Sequence, residues 1–485
     1  MVEETNNHWV FKKHTKNINN LIQVALYLKS NKSGISTKEK NKMYSDFKKN
    51  SIYNPRISIR EEPLDSINHR IDFLKYYMFG YADKINNKNK FIFSPLGNLF
   101  LKNLDKKDNL SKIFSTMLFG TQFPHPASKP SEKISLYPFR LIFSLLLDSR
   151  LKGRLYHYEV VRFIIYTKKI TPKIYEDLVE SILNSRKKTD TEKFDYLKSN
   201  EHTLTKSVYE WQYYVSSILH EMNIIKKNDG DKYVYISHPP KKKSKSQPTK
   251  RKANNGYFSL SDIVSPLVKE LLKEYSIYEE PLKLNNSNKT SDDIVKEIYS
   301  FYPEQLLNEI GEIPSPLEVE LLKLPKLIER YSENPNNKSH EKFEEILEEA
   351  FNMFVNVEAK KLSGPGNTDI ECLYLDKKEK FAVEAKSTTN KLIQINAGRL
   401  KRHRELIGAK YTIVITPRYV PSVKYDIDGQ NVVIIKANTL SEYLHNNIIF
   451  RNRNIDYTEI KKIIDKNMGT DISSNISDLT LTKFG

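Results

Sequence analysis

The stretch GNTDIECLYLDKKEKFAVEAKSTTN, residues 366–390, decides how the chain reads. Two short apolar runs, DIECLYL (369–375) and KFAVEAK (380–386), are joined by polar residues. Runs of that length with polar borders read as strands, and DKKEK between them as a tight turn. A turn centred between Lys377 and Lys378 sets Asp369 opposite Lys386 and Glu371 opposite Glu384. Side chains two apart on a strand share a face, so Glu384 and Lys386 point the same way. Two carboxylates and an amine thus gather at the open end of one hairpin.

That set suits phosphodiester chemistry. Mg2+ is a hard ion that takes oxygen ligands and keeps several waters. Asp369 and Glu384 are the candidate metal ligands, with the carbonyl of Ala385 beside them. Such an ion polarises a phosphate and lowers the pKa of a bound water. Lys386 is placed to orient that water and to offset the charge that builds on the phosphate. A structural hairpin with an incidental Glu–Lys pair carries the same short pattern, so the surroundings matter.

Upstream, HEKFEEILEEAFNMF (340–354) sets Phe343, Ile346, Leu347, Ala350, Phe351 and Phe354 on one helical face. Glu344 falls at the edge of that stripe and is the glutamate best placed to look inward. The Gly-Pro-Gly at 364–366 breaks the helix before the first strand. Downstream, QINAGRLKRHRELIGA (394–409) reads as a helix with Arg399, Lys401, Arg402, His403 and Arg404, and YTIVITP (411–417) as a buried strand.

A helix with FE (343–344), a loop, Asp369 and then VEAK (383–386) resembles the PD-(D/E)xK nuclease superfamily. Thr368 stands where that pattern often has Pro. The resemblance implies catalytic roles for Asp369, Glu384 and Lys386, support from Glu344, and Mg2+ as cofactor.

The rest of the chain has a different character. Of 78 Lys and Arg and 60 Asp and Glu, 26 and 25 lie from Gly311 onward, leaving 52 and 35 before it. Nearly all of the net charge of +18 therefore sits in the first two-thirds. A regional excess of this kind suggests a polyanion-binding part joined to a neutral one. The 485 residues suggest several domains, and 39% hydrophobic residues are enough for real cores. No apolar run approaches the roughly 20 residues that span a bilayer. The N-terminus lacks the apolar core of a signal peptide. A single cysteine, Cys372, excludes an internal disulfide, which fits a cytoplasmic location.

Two segments repeat a pattern of helix followed by β-hairpin. Residues 67–101 turn at Asn86-Asn87, with a further helix expected near Pro95. Residues 208–240 carry NDGD (228–231), an Asp-Gly turn expected between two paired strands. Helix then hairpin is how a winged helix ends, and that fold commonly meets DNA. Apolar helices at 136–148 and 156–167 and a third at 172–187 lie between the two segments. HPPKKKSKSQPTKRKANNGY (238–257) reads as an exposed basic loop.

HWVFKKHTKNINNLIQVALYL (8–28), FIFSPLGNLFL (91–101), QFPHP (122–126), ISLYPFRLIFSLLLD (134–148) and LYHYEVVRFII (155–165) resemble the AlwI-type family of type IIS restriction endonucleases. The resemblance implies a multidomain chain, with a mainly helical N-terminal recognition part of winged-helix-like modules and a C-terminal α/β PD-(D/E)xK domain. The expected divisions are modules at 1–130 and 131–283, a helical linker at 284–339 and the nuclease domain at 340–485. The implied activity is Mg2+-dependent cleavage of double-stranded DNA beside a short asymmetric site. Implied partners are a homodimer mate or second nuclease subunit, and a cognate methyltransferase. Lys12, Lys13, Lys16, Arg56, Arg60, Arg70, Arg399 and Arg402 are the expected DNA contacts. The alternatives are another PD-(D/E)xK nuclease (modification-dependent, nicking or mobile-element) and a non-catalytic DNA-binding protein.

Overall fold

The computed structural model describes residues 8–484, apart from 10, 12–16, 32, 51, 53–62, 86, 129–132, 240–246, 286–290, 313–315, 335–337, 363–365, 451 and 453. Contacts divide the chain into two units. The first comprises Met1–Ala82, Phe91–Leu284 and Glu297–Ile313, and the second Asp83–Lys90, Asn285–Lys296 and Pro314–Gly485. Among the described residues no helix is long and apolar enough to cross a membrane.

The N-terminal helix-hairpin-helix forms as its sequence suggests. Helix Pro63–Tyr76 leads into strands β1 (Gly80–Ile85) and β2 (Lys88–Phe93), which pair with one another. The connection is two residues long, and Asn87 takes the left-handed φ of 62° that such a turn demands. Helix Pro95–Lys102 follows, capped by Ser94, whose Oγ accepts the amide of Gly97 at 2.9 Å.

The first unit also holds strands β3 (Arg154–Tyr156), β4 (Ile225–Asn228), β5 (Tyr233–Ser237), β6 (Lys250–Asn254) and β7 (Tyr257–Leu260). One sheet has the order β3-β7-β4, all antiparallel, and β5 pairs with β6. Helices His157–Arg162, Pro172–Arg186, Asp190–Ser199 and Glu201–Val208 lie between β3 and β4. The last runs through a π-helical stretch, Tyr209–Val215, into Ser216–Glu221.

Two expectations are corrected here. The strands flanking NDGD do not pair with each other: β4 pairs with β7 and β5 with β6. The Asn228–Asp231 stretch jogs the chain instead of reversing it. Gly230 sits at φ 70°, and the opposite arm approaches so closely that a Cβ on Gly256 would meet the carbonyl oxygen of Asn228 at 2.3 Å. The two arms remain linked across the jog by the amide of Asn255 donating to the carbonyl of Lys232 at 3.0 Å. Consequently the basic segment is not one long loop. Lys250–Asn254 forms β6, because β5 offers it a ladder of backbone partners.

Buried aromatics fill this unit. Trp211 and Phe258 have centroids 5.4 Å apart, and Phe11 lies 5.8 Å from Trp211. His157 stacks on Phe258 and accepts the Trp211 indole N–H on Nδ1 at 3.2 Å, so the ring is neutral. Burial, with a smaller contribution from Lys227, pushes its pKa down to about 3. A depressed histidine stabilises the fold fully above its unfolded value of 6.5 and loses that contribution as pH falls towards 3. Across that window the cost is about 1.4 kcal/mol per pH unit. Both tryptophans, Trp9 and Trp211, belong to this unit, so urea melts followed by indole fluorescence report on it. The midpoint is expected to drop between pH 6.5 and 4.5, and His157→Phe to flatten that drop. An equal drop in the variant would remove His157 as its source.

The second unit is built on a five-stranded mixed sheet. Its strands are β8 (Val357–Lys361), β9 (Ile370–Tyr374), β10 (Glu379–Ala385), β11 (Thr412–Thr416) and β12 (Val432–Lys436), in the order β12-β11-β10-β9-β8. β8, β9 and β10 run antiparallel, and β10, β11 and β12 parallel. Alternation sends Phe381 and Val383, with Ile413, Ile415, Val433 and Ile435, into one core. Helix His340–Asn352 covers that face with Phe343, Ile346, Leu347, Ala350 and Phe351, the stripe its periodicity predicts. Val414, Val432 and Ile434 pack on the other face with Leu400 of helix Ala397–Leu406. Helix Pro316–Ser332 joins the first core through Leu324 and Ile328.

Candidate active site

The turn between β9 and β10 corrects the hairpin register. A short 3-10 turn, Leu375–Lys377, ends at Lys378 with φ 48°, and Tyr374 pairs with Glu379. The hairpin centre therefore lies one residue earlier than expected. Val383 pairs with Ile370 and Ala382 with Glu371, so the next rung along sets Asp369 across from Glu384. That register brings the two carboxylates to the same end of the hairpin, close enough for the charge of Glu384 to act on Asp369, and Lys386 stands two residues beyond on the face of Glu384.

Each group is held. Asp369 Oδ2 accepts the amide of Ala385 at 2.7 Å, and the Asp369 carbonyl accepts the amide of Leu362 at 2.9 Å. The Lys386 amide donates to Ile415 of β11 at 2.8 Å, which carries the parallel pairing one residue past the strand. Beyond it, Arg418 holds the carbonyls of Thr388 and Thr389 at 3.3 and 2.6 Å.

Glu384 is fully buried. A buried carboxylate needs partners, and two cations supply them. Its Oε1 accepts from Lys386 Nζ at 2.5 Å and from Arg399 Nη2 at 2.9 Å. Asn396 caps the helix that carries Arg399, its Oδ1 accepting the Arg399 amide at 2.9 Å. That cap fixes where the first turn begins and so where Arg399 stands. The other carboxylate oxygen of Glu384, Oε2, is buried with no hydrogen-bond partner.

Burial, and next the charge of Glu384, push the Asp369 carboxyl well above the usual carboxylate range; Lys386 and the Ala385 amide pull the other way. Glu344 adds a smaller upward push. Glu344 is itself raised by burial and stands 3.7 Å from Lys361.

Mg2+ fits this donor set. Two carboxylates at one hairpin end, with one unsatisfied buried oxygen, form a place where a cation relieves both repulsion and the lost hydration of that oxygen. Among the described residues there is no group of three His, Cys, Asp or Glu that could hold a metal. Two protein carboxylates leave room for the waters that Mg2+ retains.

The expected DNA contacts fare unevenly. Lys12, Lys13, Lys16, Arg56 and Arg60 lie outside the described residues. Arg70 is buried, a correction to its expected exposure. It shares the inward face of helix Pro63–Tyr76 with Ile67 and Leu74, which are also buried, at i−3 and i+4. Arg402 is exposed, and Arg399 is half-exposed against Glu384. His403 and Arg404 turn inward on the same helix, with Arg404 donating to the Asn431 carbonyl at 3.1 Å. The contact of Arg399 with Glu384 has no local sequence signal, since 15 residues separate them.

The family model described as type II restriction endonuclease HgaI, N-terminal domain, matches residues 3–275. A curated relative, the type II restriction enzyme HgaI of Avibacterium volantium, is 60% identical over 477 residues, spanning 98% of each chain. Among solved structures, the BpuJ1 endonuclease binding domain in complex with modified DNA aligns at 15% identity and a TM-score of 0.36, covering 63% of this chain and 99% of that one. Restriction endonuclease FokI bound to DNA aligns at 12% identity and a TM-score of 0.28, covering 96% and 99%. With a family model over more than half its length and a relative this similar from end to end, the chain belongs to the family of the type II restriction endonuclease HgaI.

Proposed function

We propose that the protein is a Mg2+-dependent, sequence-specific double-strand DNA endonuclease of type IIS character, cutting to one side of a short asymmetric site. The observation that carries this is the hairpin register, which continued one rung past Val383 and Ile370 sets Asp369 level with Glu384, with Lys386 Nζ 2.5 Å from Glu384 and Glu384 Oε2 unpartnered. A fully buried carboxylate set against a half-buried one at a strand end is costly for a purely structural hairpin and suited to a metal-assisted hydrolase.

Asp369 and Glu384 would hold the ion, with the Ala385 carbonyl as a further oxygen donor and Glu344 supporting the site through its charge. When bound, Mg2+ supplies Lewis-acid polarisation of the scissile phosphate and an acidified water. One Lys386 N–H is engaged by Glu384, which leaves two donors to orient the attacking water and offset charge gathering on the phosphate. Arg399 keeps further N–H groups for a phosphate oxygen.

The basic first unit is read as the recognition part. The sheet order β3-β7-β4, with helices between its first two strands, supports a winged-helix-like module. The mixed sheet with its Asp369, Glu384 and Lys386 supports a PD-(D/E)xK domain. The AlwI-type affiliation rests on the N-terminal motifs alone. One cleavage motif per chain implies that cutting both strands takes a second copy, a second nuclease subunit or sequential nicks. A cognate methyltransferase and a cytoplasmic location follow from a restriction role.

Supercoiled plasmid with Mg2+ is expected to yield nicked and linear forms, and chelation by EDTA to stop both. Sequencing the ends then reads out the site and the offset. Intact plasmid with every divalent ion tried would overturn the proposal in favour of a non-cutting DNA-binding protein.

A further inference from the structure

The β5–β6 ribbon carries a face that the cleavage reading leaves unused. Tyr233 and Tyr235 stand on the same side of β5, 49% and 52% exposed, among the most exposed large aromatics of the first unit. Cross-strand pairing adds Lys252 opposite Tyr235 and Lys250 opposite Ser237 on that side. The two rings meet edge to face at 5.4 Å, and Lys252 Nζ lies 4.0 Å from the Tyr233 centroid.

This face is not the accident of a loose hairpin, because the reverse side is anchored. Ile236 and Ala253 are buried, and Arg251 stacks on Tyr209 at 3.8 Å. Gln212 donates to the Lys252 carbonyl at 3.1 Å. Thr205 Oγ1 donates to the Ser237 carbonyl at 3.0 Å, and the Ser237 amide donates to Glu201 at 2.8 Å. The ribbon is thus held on the helix ahead of the π-helical stretch, with its Tyr/Lys side presented outward. Asp190 and Asp231 sit at the jog, where they accept from Asn255 at 3.1 and 3.0 Å. At the other end Glu201, which takes the Ser237 amide, is paired with Lys198 at 2.7 Å, and Lys198, Lys250, Arg251 and Lys252 leave that half with a net positive charge.

We infer that Tyr233, Tyr235, Lys250 and Lys252 form a contact surface for the sugar–phosphate backbone of duplex DNA, read without regard to base sequence. The inference rests on the DNA-cleavage reading and names a surface for its substrate. Charge complementarity selects this occupant: 52 basic against 35 acidic residues precede Gly311. Phosphate oxygens suit both the ammonium groups and the phenolic hydroxyls, and the aromatic rims pack against sugars. Backbone contacts of this kind give affinity and register, and no discrimination among sequences.

The test is equilibrium binding of the full chain to two fluorescent duplexes, one containing the cleaved site and one lacking it. Ca2+ replaces Mg2+, and the salt concentration is varied. K250Q/K252Q is expected to weaken both duplexes alike, by roughly tenfold near 0.1 M salt, and to lower the salt slope by about 0.9 per lysine. Y233S/Y235S is expected to weaken both with little change of slope. Both pairs are on the surface, and unchanged thermal melts confirm that the variants fold. Unchanged affinity and slope would overturn the inference and leave the face to a protein partner. Loss on the site-containing duplex alone would overturn it too, since that is base readout. A wild-type protein that binds neither duplex would instead sink the DNA reading itself.

Discussion

Lys386→Ala is expected to slow DNA cleavage by about 10²–10⁴-fold at saturating Mg2+ while leaving duplex affinity in Ca2+ close to wild type. The ammonium stands 2.5 Å from Glu384 Oε1 and is only partly exposed, beside the carboxylates that would hold the ion. On the proposed mechanism, removing it takes away the group that would orient water and meet the developing charge, but not the carboxylates that would hold the ion. The fold is expected to survive, because Arg399 still pairs with Glu384 at 2.9 Å and spares it the cost of an unpaired buried charge. Single-turnover cleavage, filter binding in Ca2+ and a thermal melt separate the three effects. Wild-type cleavage by the variant would remove Lys386 from the chemistry. A large fall in melting temperature would recast it as structural.

The second large effect concerns the strand that carries the site. Phe381 lies three residues before Glu384 and packs parallel to the rings of both Tyr411 and Tyr457, with centroids at 5.3 and 5.0 Å and the planes within 4° of parallel. Phe351 meets it edge-on at 5.8 Å. The ring is fully buried, and the two tyrosine hydroxyls are joined at 3.0 Å. Phe381→Ala leaves a ring-sized void that this aromatic stack cannot close, at a cost of about 3–5 kcal/mol. Phe381→Leu retains most of the volume and should cost less. Urea denaturation followed by far-UV circular dichroism, with hydrogen exchange across β10 and β11, checks both. Cleavage should fall with the population of folded second unit. Full stability of the alanine variant would mean that the stack repacks freely.

How much of this was legible in the sequence varies with the range of the interaction. Helix His340–Asn352 was readable because its six apolar positions repeat at helical spacing, and five of them line the core within the helix itself. The left-handed Asn87 before β2 and the Ser94 cap were likewise marked by local backbone chemistry. The Asp-Gly signal at 228–231 was real as a left-handed glycine but misleading as a hairpin. Whether such a residue reverses a chain or jogs it depends on the strand opposite. Lys250–Asn254 looked like a basic loop because strand pairing satisfies backbone groups irrespective of charge.

At the site itself, the sequence by itself determined the cast and one relation within it. A strand repeats every two residues, so Glu384 and Lys386 had to share a face. The tertiary structure decided the rest. A 3-10 turn at Leu375–Lys377 shifted the register by one residue and brought Asp369 opposite Glu384. The capped helix after the motif delivered Arg399 to the same carboxylate, and the packing of helix Pro63–Tyr76 drew Arg70 out of solvent. The division has a physical cause. Periodicity and propensity act over a few bonds and are written in the residues, whereas register, burial and the meeting of distant charges follow from how turns close and cores fill.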